Sequence, residues 1–138
     1  MRDKNFTRLL QSLVLGIFLV FGVCANTEAF AFSDWDTLVK KHVAPKTVDG
    51  VLINAVDYSN LKKDPLFSDL ASRLSSYPLE NLESEKSKLT FWINVYNILA
   101  VKMITDHYPI KSIKDAGSFF KSVWKQQAGK VGGKERTL

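Results

Sequence analysis

Phe91-Trp92-Ile93-Asn94-Val95-Tyr96-Asn97 sits in the middle of the stretch from Ser84 to Asp106, and the reading of that stretch decides how the rest of the chain must fold. Acidic Glu83 and Glu85 stand at its start and Pro109 shortly after its end, the start and stop signals of one long helix. Projected at about 100° per residue, Leu89, Trp92, Tyr96, Leu99 and Met103 form one apolar stripe. Phe91, Val95 and Ile98 widen it on one side, and Ile93, Ala100 and Ile104 on the other. The remaining arc holds the uncharged Thr90, Asn94, Asn97, Val101 and Thr105, with charge only at Lys102 and Asp106 near the end. A helix of this kind is expected to be covered on nearly every side. Asn94 and Asn97, three residues apart, project to one side. A buried amide without partners costs roughly 1 to 3 kcal/mol, so both are expected to be buried and hydrogen-bonded. They either anchor neighbouring loops or line a ligand pocket. With Tyr96 they are the candidate ligand-binding residues, while Trp92 and Tyr96 also read as core aromatics.

Working outward, Ser33 and Asp36 resemble a capping box opening a helix that carries Trp35, Leu38, Val39 and Val43, with His42 near its end and Pro45 beyond. Asp49-Gly50 reads as a turn feeding a short strand through Val51, Leu52 and Ile53. Asp64-Pro65 is an N-cap followed by proline at the first helical position, and the helix it opens points Leu66, Phe67, Leu70 and Leu74 to a core until Tyr77-Pro78 ends it. After the central helix, Ser112 caps a short turn. Phe119, Phe120 and Trp124 form an aromatic cluster, and Gln126 to Leu138 reads as a hairpin with Gly132-Gly133 at its tip. The expected fold class is α+β: a helix-rich single domain around helix 84–106, with a small antiparallel sheet from segments near 48–54 and 124–137.

The amino terminus follows a different logic. Arg2, Lys4 and Arg8 precede an apolar run from Leu9 to Ala25 broken only by Gln11 and Ser12, and a polar stretch leads to Ala29-Phe30-Ala31. That is the layout of a secretory signal peptide, with cleavage expected after Ala31. The run approaches the roughly 18 residues of a membrane span, so an uncleaved anchor is the rival reading. Lipid anchoring through Cys24 is disfavoured because no small residue immediately precedes it. Residues 1–31 are therefore assigned as signal peptide and 32–138 as the domain, with an exported, periplasmic or extracellular address. Without residues 1–31 the chain has 107 residues, 16 basic and 12 acidic, a net charge of +4. The lysines are scattered rather than clustered, which argues against nucleic acid as a partner. Contact with a membrane is expected only through the signal peptide before cleavage. The single cysteine is lost with the leader, so stability must come from packing and not from disulfides.

The quoted heptapeptide resembles the FWINxYN signature of the DUF547 family, a domain of unknown function. Asp49-Gly50-Val51 with Asp57-Tyr58, Tyr108-Pro109-Ile110-Lys111-Ser112-Ile113-Lys114-Asp115, and Gly132-Gly133 with Thr137-Leu138 support the resemblance in the family's order. The resemblance implies more chain than is present. Similar proteins continue from the Thr-Leu pair into a helix with an Ile-Glu-His segment and on to a Cys-Pro, so this chain is expected to correspond to the amino-terminal half to two-thirds of the domain.

A thiol-dependent, papain-like hydrolysis is the tempting analogy for the family, and it needs a cysteine beside a histidine. The domain here has no cysteine, and His42 and His107 read as cap or surface residues. No metal site is expected from two histidines, no cofactor loop is present, and GxSxG, HExxH and P-loop motifs are missing. The leading expectation is an exported DUF547-type binding or structural module without activity of its own. Its partner would be a complementing carboxy-terminal segment or a second copy. The alternative is part of an extracytoplasmic hydrolase or transferase whose reactive residues lie elsewhere.

Overall fold

A computed structural model describes residues 29–117 and 122–138. In order, the chain forms α1 (Ser33–His42), β1 (Val43–Val48), β2 (Val51–Val56), a one-turn α2 (Tyr58–Leu61), α3 (Pro65–Ser76) and α4 (Glu85–His107). A short carboxy-terminal hairpin, β3 (Gly129–Val131) and β4 (Lys134–Arg136), closes it, and single turns of 3-10 helix join these elements. The fold is α+β and helix-rich, as the pattern of apolar residues requires. Phe119 and Phe120 lie outside the described residues, and so does Cys24.

Local chemistry sets the helix ends. The Asp64 carboxylate accepts the Leu66 amide and Pro65 follows at the first position of α3, so a donor left open by the first turn is satisfied. Ser84 and Ser87 form a reciprocal capping box at the start of α4. At α1 the expectation is corrected. The N-cap is Phe32, with no side-chain cap, and Ser33 is already helical. The Ser33 carbonyl accepts from Thr37 Oγ1 at 2.9 Å, so the Ser-x-x-Asp spacing here is not a cap.

The expected single sheet is also corrected: there are two separate antiparallel hairpins. Asp49 and Gly50 both take positive φ, 50° and 80°, the sign pattern of a tight two-residue hairpin turn. That turn pairs β1 with β2 from Val43↔Val56 to Val48↔Val51. Most of this hairpin is exposed on both faces. The second hairpin docks by its tip. Gly132 and Gly133 donate their amides to the carbonyls of Leu74 and Ser75 at 3.1 and 2.6 Å, pairing carbonyls in the last turn of α3, of which Leu74 also accepts from the Tyr77 amide. A Cβ at Gly132 would come within 2.6 Å of Leu79 Cγ, and its φ is +57°.

The core lies between α1, α3, one face of α4 and the docked hairpin, and includes Leu38, Phe67, Leu70, Leu74, Phe91, Val95, Ile98, Met103 and Val131. Ahead of α1, Phe30 and Phe32 pack against this core, each 5.9 Å from the Phe91 ring.

Candidate functional site

Among the described residues, only one side of α4 is enclosed. Phe91, Val95, Ile98, Leu99, Met103 and Thr105 are buried, whereas Leu89 is 64% exposed, Ile93 54% and Tyr96 49%. The cover that so apolar a helix calls for is thus not supplied on this face by the described residues. The cause is the number of elements: α2, the turn at Ile113–Ala116, β3 and the chain around Phe30 pack against the helix, with Leu70 and Leu74 of α3 in the same core, and no described element covers Leu89, Ile93 and Tyr96. The exposed residues recur at intervals of four and three, with the half-buried Ala100 continuing the row, the spacing of a seam that another helix can pack against.

The three residues singled out from sequence fall on or beside this seam. Tyr96 is in it. Asn97 flanks it and is exposed, against the expectation of burial. Asn94 lies at the edge of the buried face, half-buried, and its amide donates to the Thr90 carbonyl at 2.9 Å within its own helix. Thr90, Asn94 and Asn97 thus border an open face, and no described element packs over Asn97, whereas Thr105, on the same arc nearer the end of the helix, is buried. Trp92, on the other border, stands edge-on to Phe91 at 5.3 Å and under the Arg136 guanidinium at 5.0 Å, which ties α4 to β4.

A second polar cluster was missed in the sequence. His42, in the last turn of α1, is buried, and its Nε2 lies 2.8 Å from Asp64 Oδ2. An ionised carboxylate can only accept, so Nε2 carries the proton and donates. Lys41 Nζ donates to the same oxygen at 2.8 Å, and Asp64 Oδ1 accepts from the Leu66 amide at 3.0 Å. Hydrogen bonds from Lys41 and then His42 hold the Asp64 carboxyl down from 3.8 to about 2. The pair clamps the end of α1 to the start of α3. Beside it lies an open concavity of about 420 Å³ lined by Lys41, His42, Asp57, Asn60, Lys63, Asp64 and Pro65. Asp57 caps α2 through the Asn60 amide, and that bond lowers its carboxyl's pKa. The lining offers cations and carboxylates but no hydroxyl or thiol that His42 could activate. His107 reads as it did in sequence, a capping residue, with Nδ1 2.8 Å from the Met103 carbonyl oxygen.

A shallow apolar hollow of about 310 Å³ opens between the amino-terminal segment and the start of α4, lined by Phe30, Phe32, Leu82, Thr90 and Phe91 among others. Among the described residues no group of three or more His, Cys, Asp or Glu side chains could hold a metal ion, and no helix is long and apolar enough to cross a membrane.

No curated protein and no solved structure matches the chain. A family model described as "Protein of unknown function, DUF547" matches residues 79–138, the segment that holds α4 and the carboxy-terminal hairpin, consistent with the assignment implied by the motif.

Proposed function

We propose that this chain, whose residues 79–138 match the DUF547 family model, is an exported, non-catalytic binding module whose working surface is the open face of α4. The observation that carries the reading is the row of Leu89, Ile93 and Tyr96, each about half exposed or more on the longest and most apolar helix of the domain. Isolated exposed apolar side chains are ordinary, but a contiguous row on one helix marks a contact surface. Covering each large side chain is worth roughly 1.5 to 3 kcal/mol before the costs of association are met. The four-three spacing suits an amphipathic helix as the partner element, with Asn97 as a hydrogen-bonding group at the rim. The basic amino terminus and the apolar run behind it support export. The His42–Asp64 pair, turned toward Lys41 and the first turn of α3, supports a structural rather than a catalytic use of the histidine.

The experiment is a comparison of the purified protein with a Leu89→Glu/Ile93→Glu variant. The parent should bind a hydrophobic dye or self-associate in sedimentation. The variant should do neither while keeping the same melting temperature, because both side chains already face water. A parent that is monomeric and does not bind dye, or a variant that unfolds, would overturn the reading.

A further inference from the structure

Phe30 lies before the cleavage position expected from sequence, yet it is built into the domain. Its ring centroid is 4.8 Å from Phe32, and it meets Tyr77 and Phe91 edge-on at 5.2 and 5.9 Å. The Arg73 guanidinium sits 5.6 Å above it. Tyr77 and Phe91 belong to the buried core, so Phe30 bridges the end of α3 to the start of α4. These are the contacts of an internal aromatic residue. Cleavage after Ala31 would remove this ring and leave Tyr77 and Phe91 facing the hollow beside Leu82 and Thr90. It would also place a new ammonium on Phe32, the N-cap of α1, where the helix dipole disfavours positive charge.

Two further sites with short side chains at the required positions precede Phe30, namely Val23-Cys24-Ala25 and Thr27-Glu28-Ala29. Resting on the export reading above, we propose that signal peptidase cuts on the amino-terminal side of Phe30, after Ala25 or Ala29. The segment from Phe30 to Phe32 then stays in the mature protein as an apolar latch across α3 and α4. The reaction is hydrolysis of one peptide bond. The C–N bond of Ala25–Asn26 or Ala29–Phe30 breaks, water supplies hydroxide to the acyl carbon and a proton to the leaving nitrogen, and a carboxylate and an α-ammonium result.

The full chain is expressed in a bacterial host, the exported fraction is isolated, and its amino terminus is read by Edman degradation and intact mass. A start at Asn26 or Phe30 is expected. A start at Phe32 would overturn the proposal while leaving export intact. A retained Met1 would also overturn it, and if that protein were found in the cytoplasm the export reading would fall as well. A second readout does not depend on sequencing. Phe30→Ala in the full precursor should lower the melting temperature of the exported protein by about 4 °C or more, the shift expected for losing such contacts in a domain of this size. An unchanged melting temperature would mean that the ring had been discarded with the leader.

Discussion

Replacing Asp64 with alanine removes three interactions at one stroke, and their separate magnitudes can be read from the geometry. The N-cap bond to the Leu66 amide is worth about 1 kcal/mol. The imidazole of His42, its side chain only 6% exposed, is left with an unpaired donor at a cost of about 1 to 3 kcal/mol. Lys41, with its side chain 62% exposed, adds almost nothing, because water takes the place of the carboxylate. The total is about 2 to 4 kcal/mol, or a fall of roughly 10 to 25 °C in melting temperature for a domain of about a hundred residues. Asp64→Asn keeps the cap and an acceptor for His42, so it should lose less than half as much, and Lys41→Ala less than about 0.5 kcal/mol. Thermal and urea denaturation followed by circular dichroism would measure all three. The reasoning fails if Asp64→Ala is within experimental error of the parent, or if Lys41→Ala is the more damaging change. The pair also has a pH signature. The folded carboxyl titrates near 2 against an ordinary 3.8. Its contribution is therefore complete above about pH 4 and is lost as the pH falls through about 2. Asp64→Asn should flatten that acid limb. The carboxyls of Asp57, hydrogen-bonded by the Asn60 amide, and of Glu85, bonded by Lys88, are also lowered and act in the same direction, but both are exposed and the largest share of the limb belongs to Asp64.

Two further outcomes are expected from side chains and glycines. Asn94→Ala and Asn97→Ala should each change stability by less than about 0.5 kcal/mol in urea melts, since one amide bonds only within its own helix and the other faces solvent. Gly132→Ala should cost about 2 to 3 kcal/mol, combining a left-handed backbone with a Cβ driven into Leu79, whereas Gly133→Ala, whose Cβ meets nothing, should cost only about 1. Equal effects at the two glycines would mean that the hairpin tip does not dock on α3.

Much of the fold was legible because its signals are local. Asp64-Pro65, Asp49-Gly50 and Gly132-Gly133 each satisfy a backbone requirement within a few residues, so α3 and both hairpin turns could be placed from sequence. The bounds of α4 differ by one residue from those expected, because Ser84 and Pro109 act at short range. Which face of α4 is buried was not legible. The helix is apolar almost all round, so its sequence cannot say which arc α3 and the docked hairpin will cover, and the expected centre near Tyr96 lies on the side that stays open. The expected burial of Asn97 fell with it. The His42–Asp64 pair joins residues 22 positions apart. Asp64 was recognisable as a cap through one oxygen, but nothing local announces the use of the other. Phe30 was hidden by its own context: Ala29-Phe30-Ala31 satisfies a protease motif, and only the fold shows the ring lodged against Phe91.

The claim that the half of α4 bearing Leu89, Ile93 and Tyr96 is free to bind can be put to one measurement. In the exported protein, which has lost the chain's one cysteine, Cys24, with its leader, Ile93→Cys provides a single reporter, and its alkylation rate is compared with that of the same protein in denaturant. An open face predicts modification under native conditions within about tenfold of the denatured rate. Protection by several orders of magnitude in the monomer, tracking the global unfolding equilibrium, would place position 93 inside the core and contradict the account.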